Sequence, residues 1–131
     1  MVKRLTKMID NPVLNWIFVF LWASLIFYLS SIPGLTTGLG IYDLILRKFA
    51  HIFEYFFLTY LLYRAWKSTK KFLSFSFFLF YGAFLSFLYA ISDEIHQSFV
   101  PGRGPSIIDV FIDSIGIILC LIILRRKFEN D

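Results

Sequence analysis

Between Asp10 and Asp43 the chain carries no charged side chain. That interval excludes most ways of folding in water. Its centre, Val13 to Ser31, supplies the ~20 apolar residues that a helix needs to cross a bilayer. Asn11-Pro12 marks the start and Pro33-Gly34 the exit. Phe72 to His96 stays charge-free until Asp93, and Ser106 to Leu124 is interrupted only by Asp109 and Asp113. A fourth stretch, roughly Arg47 to Trp66, is long enough but more polar. The expected spans are therefore 13–31, 47–66, 72–96 and 106–124. They make an all-α bundle of four transmembrane helices in a single domain over residues 1–131. Phe and Ile also favour strands, but a membrane barrel needs many segments of ~10 residues with alternating polarity. Four segments without that alternation cannot close one.

Between the first two spans, residues 31–46 read as a loop with three glycines. Within it a short apolar stretch, Ile41 to Leu46, is expected to lie at the interface. Pro101-Gly102-Arg103-Gly104-Pro105 must be a second loop. Lys3, Arg4 and Lys7 before the first apolar run resemble a signal-peptide start. The run is longer than a usual signal core and no A-x-A site follows, so a retained helix is expected.

The chain is 58% hydrophobic, with 17 Phe, seven Tyr and three Trp, as suits a lipid-facing protein. Its net charge of +4 does not point to nucleic acid, because the basic residues flank apolar runs. They are read as topology determinants instead. Lys3, Arg4 and Lys7 precede span one. Arg64, Lys67, Lys70 and Lys71 join spans two and three, and Arg125, Arg126 and Lys127 follow span four. Four spans put all three clusters on one side, with a net charge of +7 there and −3 on the other. Both termini are then cytoplasmic. The lone Cys120 forms no internal disulfide and reads as a small packing or lipid-facing residue.

Against this apolar background the ionisable residues stand out. Charges inside membrane spans are costly and usually face a protein interior or a water-filled cavity. At ~100° per residue, Arg47, Lys48, His51, Glu54 and Tyr55 share one face of span two. Ser86, Tyr89, Asp93, His96 and Gln97 share a face of span three, bordered by Glu94. Ser106, Asp109, Asp113, Gly116 and Cys120 form a stripe on span four. Each stripe is densest at the outer end, so the stripes should face one another around an outward-opening polar pocket. The Pro101–Pro105 loop would form its rim.

His51 and Glu54, three apart, suit half a metal site, an acid–base pair or a structural hydrogen bond. No H-E-x-x-H or Cys/His signature accompanies them, so neither a metal nor a cofactor is assigned. Asp109 and Asp113, one turn apart, would repel if both were ionised, so that one holds a proton or binds a cation. Arg103, between two glycines, either caps Glu94, Asp109 or Asp113, or grips a phosphate with its planar fork.

The run Lys48-x-x-His51-x-x-Glu54-Tyr55, then Ser92-Asp93-Glu94-Ile95-His96-Gln97-Ser98-Phe99-Val100-Pro101-Gly102-Arg103, then Ile108-Asp109-Val110-x-x-Asp113-x-x-Gly116, resembles the VanZ-like family of bacterial membrane proteins. The Ser30-Ser31-Ile32-Pro33 exit is similar too. The likeness spans nearly the whole chain in order. Its most specific part is E-x-x-Q-x-F-x-P-G-R followed by D-x-x-x-[ND]-x-x-G. The family often has Asn where this chain has Asp113. The founding member is linked to low-level resistance to teicoplanin, a glycopeptide that binds wall precursors outside the membrane. The resemblance implies a role in the bacterial cell envelope and a place in the plasma membrane, without supplying a reaction.

Three functions compete. The first is an envelope protein that binds or modifies a lipid-linked, phospholipid or glycopeptide headgroup. Lys48, His51, Glu54, Tyr55, Asp93, Glu94, Gln97, Arg103, Asp109 and Asp113 would be its ligand-binding residues. In a catalytic version the candidates are His51, Glu54, Asp93, Glu94 and Asp109. His51 or Glu94 would act as general base, with Glu54 orienting His51. The second is a proton- or cation-coupled transport element, and the third a non-catalytic structural partner of an envelope complex. The bilayer and an envelope lipid are the expected partners. The sequence sets no oligomeric state.

Overall fold

A computed structural model describes residues 10–34 and 38–131, so the Lys3, Arg4 and Lys7 cluster lies outside the described residues. Four helices follow in order: α1 (Pro12–Ser31), α2 (Ile41–Thr69), α3 (Phe75–Gln97) and α4 (Ile107–Asn130). No strand occurs among the described residues. Asn11 starts α1 by accepting from the Val13 and Leu14 amides at 3.0 and 3.3 Å, with Pro12 at the first turn. The helix stops at Ile32, which Pro33 forces into an extended conformation. Ser74 starts α3 in the same manner, accepting from the Phe77 amide at 3.2 Å.

The ends of α2 differ from the expected 47–66. Residues 41–46 form the first turns of one continuous 29-residue helix rather than a separate interfacial stretch. Gly40 makes this possible. Its φ of +61° lets the chain turn directly into the helix, and Asp43 accepts from the Leu39 amide at 3.1 Å. The third helix begins three residues later than expected, and the fourth runs on through its basic end to Asn130.

Contacts fix the packing. Trp16 donates from its indole to the Thr69 hydroxyl at 2.9 Å, and Trp22 donates to the Glu54 carbonyl at 2.9 Å, so α1 and α2 are antiparallel. The Thr59 and Ser86 hydroxyls meet at 2.9 Å between antiparallel α2 and α3. Phe75 stacks on Phe128, and Glu94 meets Ser106, between antiparallel α3 and α4. The bundle is up-down-up-down. Helix α2 touches all three others, whereas α1 and α4 do not meet among the described residues.

This arrangement explains a contrast in composition. Helices α1, α3 and α4 are each long and apolar enough to cross a membrane. The first half of α2 carries Asp43, Arg47, Lys48, His51 and Glu54. The most polar helix is the one that packs against all three others, with His51 turned inward and Ile41, Leu44, Phe49 and Phe53 left on its exposed face. Its inner faces join Val19, Ile26, Leu58, Leu61, Leu62 and Ile117 in the main core. The outer surface is apolar instead, with Phe20, Tyr28, Phe80 and Ile118 exposed, as a lipid-facing surface requires.

One glycine sets the spacing of α2 and α4. At Gly116 an added methyl would lie 2.1 Å from the Ile52 carbonyl oxygen, so α4 presses backbone to backbone on α2. One turn on, Cys120 is buried near Tyr63, Phe78 and Leu124, which makes it a packing residue.

Candidate functional site

The loop ends of all four helices gather at the pole of the bundle that holds Ser31, Ile41, Gln97 and Ile107. There α2 and α4, running parallel, present two ion pairs one turn apart. The Lys48 ammonium contacts the Asp109 carboxylate in the outer layer, where both side chains keep some solvent exposure. Below it, the His51 Nδ1 donates to Asp113 at 2.9 Å, and here the residues are 6% and 0% exposed. A ring nitrogen facing a carboxylate must carry the hydrogen, which fixes the other nitrogen as the possible acceptor.

These pairings correct three expectations. His51 is held by Asp113 from another helix, not by Glu54 from its own. The Glu54 carboxylate makes no hydrogen bond among the described residues. It lies half-buried within electrostatic reach of His51, Asp93, Asp113 and Arg103. Asp109 and Asp113 are not left to repel each other, because each faces its own partner on α2.

From α3, Gln97 donates to Asp93 at 2.9 Å and accepts from Arg103 at 3.4 Å. Arg103 comes from the loop, where Gly102 at φ +77° turns the chain back over the bundle. Its guanidinium also donates to the Leu29 and Ile32 carbonyls, at 3.1 and 3.0 Å. It therefore caps the C-terminus of α1, where unpaired carbonyls attract a cation. The expected partners Glu94, Asp109 and Asp113 are not the ones it bonds. Burial, together with the charge of Arg47, lowers the Arg103 pKa, while Asp93, Glu54 and Glu94 counter this.

Glu94 uses one carboxylate oxygen to accept from the Ser106 amide at 2.8 Å, holding the first residue before α4. Its other oxygen is buried with no hydrogen-bond partner among the described residues. So are Asp113 Oδ2 and the Tyr55 hydroxyl. Glu94 and Tyr55 both lie within electrostatic range of Asp113, which is itself the third orphan group. A buried polar atom without a partner costs about 1–3 kcal/mol. Three in one cluster are unusual in a packed interior.

His96 leaves this cluster. It stacks on Phe27 of α1 with centroids 4.2 Å apart and sits 3.5 Å from the Ser31 hydroxyl. No group of three His, Cys, Asp or Glu side chains among the described residues is arranged to hold a metal ion. The structure thus brings together Lys48, His51, Glu54, Tyr55, Asp93, Glu94, Gln97, Arg103, Asp109 and Asp113 at one pole. They are mostly buried and largely paired with one another.

Sequence reasoning missed a polar contact at the opposite pole. Asn15, 2% exposed, accepts from the Arg64 guanidinium at 3.0 Å. Its signal was available, since Asn15 is a strongly polar side chain well inside the charge-free first span. A family model described as VanZ/LLP1 matches residues 12–128. No curated protein and no solved structure gives a significant match.

Proposed function

The chain belongs to the VanZ/LLP1 family, and from that premise we propose a bacterial plasma-membrane protein of the cell envelope whose polar pole receives a headgroup rich in hydrogen-bond donors. Both termini lie in the cytoplasm in this reading, and the polar pole faces outward. The basic clusters support it, because ten of the thirteen Lys and Arg residues then fall inside.

One observation carries the ligand class. The cations of the cluster are already engaged, Lys48 by Asp109 and Arg103 by the carbonyls of α1. What remains open is acceptor capacity, on Glu94 and Asp113, beside the Tyr55 hydroxyl. A ligand that completes these groups brings N–H or O–H donors. An ammonium, an amino group or a sugar hydroxyl fits, and a bare phosphate does not. Lipid-linked saccharides, ethanolamine phospholipids and glycopeptides share that chemistry. Lys48 and Asp109, at the outer layer, would form the entrance. The effect on teicoplanin susceptibility, if present in this member, would follow from occupancy of this pole.

The core below the cluster, filled by Leu58, Leu61, Leu62 and Ile117, gives the transport alternative little support. The test uses two zwitterionic phospholipids of equal charge, one with N–H donors and one in which methyl groups replace them. Phosphatidylethanolamine carries three N–H groups, whereas phosphatidylcholine carries none. Purified full-length chain in detergent is offered each lipid, and bound lipid is counted by native mass spectrometry. Preferential retention of the ethanolamine lipid is expected. Equal retention of both would overturn the reading.

A further inference from the structure

At the opposite pole, where α2 and α4 end and α3 begins, a cavity of about 580 Å³ opens between the helices. Arg64, Lys67, Lys71 and Lys127 line it, against two acids, Asp10 and Asp131. Lys67, Lys71 and Lys127 are exposed and form no ion pair among the described residues. The walls are aromatic. Lys67 sits over the Tyr63 ring at 5.7 Å and Arg64 over Tyr60 at 5.8 Å. Asn15 holds the Arg64 head in place from α1.

Arg64 also lines a second hollow of about 320 Å³ on the flank of α1 and α2. Apart from Arg64, that hollow is apolar, with Phe18, Leu21, Trp22, Leu25, Phe57 and Leu61 along it. A basic cavity and an apolar groove thus share one side chain. Neither half alone specifies a ligand. Together they match an amphiphile with a negative head and a hydrocarbon tail, and basic pockets between membrane helices are known to bind phosphate headgroups.

We propose that this pole binds an anionic phospholipid. Its phosphate lies among Lys67, Lys71 and Lys127, an acyl chain follows the groove past Trp22, and Arg64 marks the junction. The site is separate from the polar pole and uses opposite chemistry: cations for a phosphate rather than acceptors for a donor.

Trp22 reports on it directly once Trp16→Phe and Trp66→Phe leave it as the one indole of the chain. The chain is placed in phosphatidylcholine vesicles containing increasing fractions of phosphatidylglycerol with brominated acyl chains, which quench nearby indoles on contact. Quenching should saturate at lower mole fraction than with brominated phosphatidylcholine. Each basic residue near an anionic surface contributes roughly fivefold in affinity. The triple variant Lys67→Gln/Lys71→Gln/Lys127→Gln should therefore lose at least about tenfold of the preference. Lys70→Gln/Arg125→Gln/Arg126→Gln removes equal charge at the same pole outside the cavity, so it reads the diffuse attraction alone and should lose clearly less of the preference than the cavity triple. Far-ultraviolet circular dichroism checks that both variants stay helical, and the triple Lys→Arg variant should retain the preference. Equal losses in the two charge-matched triples would mean diffuse attraction and overturn the site. Displacement of the brominated lipid by millimolar glycerol phosphate would make the ligand a soluble phosphate and overturn the lipid assignment. Neither result bears on the ethanolamine-over-choline preference at the other pole.

Discussion

Replacing Gly116 by Ala should break the contact on which the polar pole is built. The added methyl would stand 2.1 Å from the Ile52 carbonyl oxygen and 3.0 Å from the Phe56 amide nitrogen, whereas ordinary contact begins at 3.4 Å. The obstacles are backbone atoms of α2, so no rotamer change relieves the clash. The helices must separate by more than an ångström, one turn from the 2.9 Å contact between His51 and Asp113. Overpacking a core costs about 1–3 kcal/mol, and stretching a buried, charge-assisted hydrogen bond adds about 1.5–3 kcal/mol. The combined loss is about 3–5 kcal/mol, as some relaxation is shared. Gly82→Ala supplies the control, because its methyl would meet Thr59 and Tyr63 backbone atoms of the same helix at 3.4 Å. Unfolding is followed by helicity against added SDS in mixed micelles. Gly116→Ala should shift the midpoint far below that of Gly82→Ala, which should stay within about 1 kcal/mol of the parent chain. The reasoning is refuted if Gly116→Ala is tolerated equally well, or if Gly82→Ala is the more damaging change.

Three further outcomes follow from the same geometry. Asp113→Ala strands a buried imidazole and should cost about 3–5 kcal/mol in the SDS titration, and His51→Leu combined with Asp113→Leu should cost less than Asp113→Ala alone. A double variant no better than the single one would count against a paired, desolvated contact. Arg103→Lys cannot reproduce the fork that reaches Leu29, Ile32 and Gln97 together. It should lose about 1–2 kcal/mol and raise hydrogen exchange at the last turn of α1, as read by mass spectrometry; unchanged protection there would remove Arg103 as the cap. Asn15→Leu should free Arg64 and lower stability by about 1–3 kcal/mol, although it adds apolar volume to an apolar helix. A gain in stability would show that the contact contributes nothing.

Much of the site's location is readable from the chain, but its pairings are not. Asp93, Glu94, Asp109 and Asp113 announce themselves because charges in apolar runs are costly, and four alternating helices carry them to one pole. Glu54 is the nearest carboxylate to His51 in sequence, yet Asp113 is the one His51 meets. That choice depends on how close α4 comes, and Gly116 sets it. Helical spacing gives the face of Arg103's neighbours but not the turn at Gly102 that sends the guanidinium to α1. The place of α2 at the centre follows from its charges only when the other three helices are compared with it. His96 shares a helix face with Asp93 and still leaves the cluster, because Phe27 offers its ring a stacking surface on α1.

The central claim is that the polar pole keeps buried acceptors open for a donor-bearing headgroup. Glu94→Gln addresses it directly. The amide oxygen can still accept from the Ser106 amide, while the vacant acceptor oxygen becomes a donor. Stability and lipid retention are measured on the same purified sample. Helix stability should stay within about 0.5 kcal/mol of the parent, and the preference for phosphatidylethanolamine over phosphatidylcholine should fall about tenfold or more. A parallel fall in stability and retention would make the cluster a structural lock, and an unchanged preference would place the ligand elsewhere.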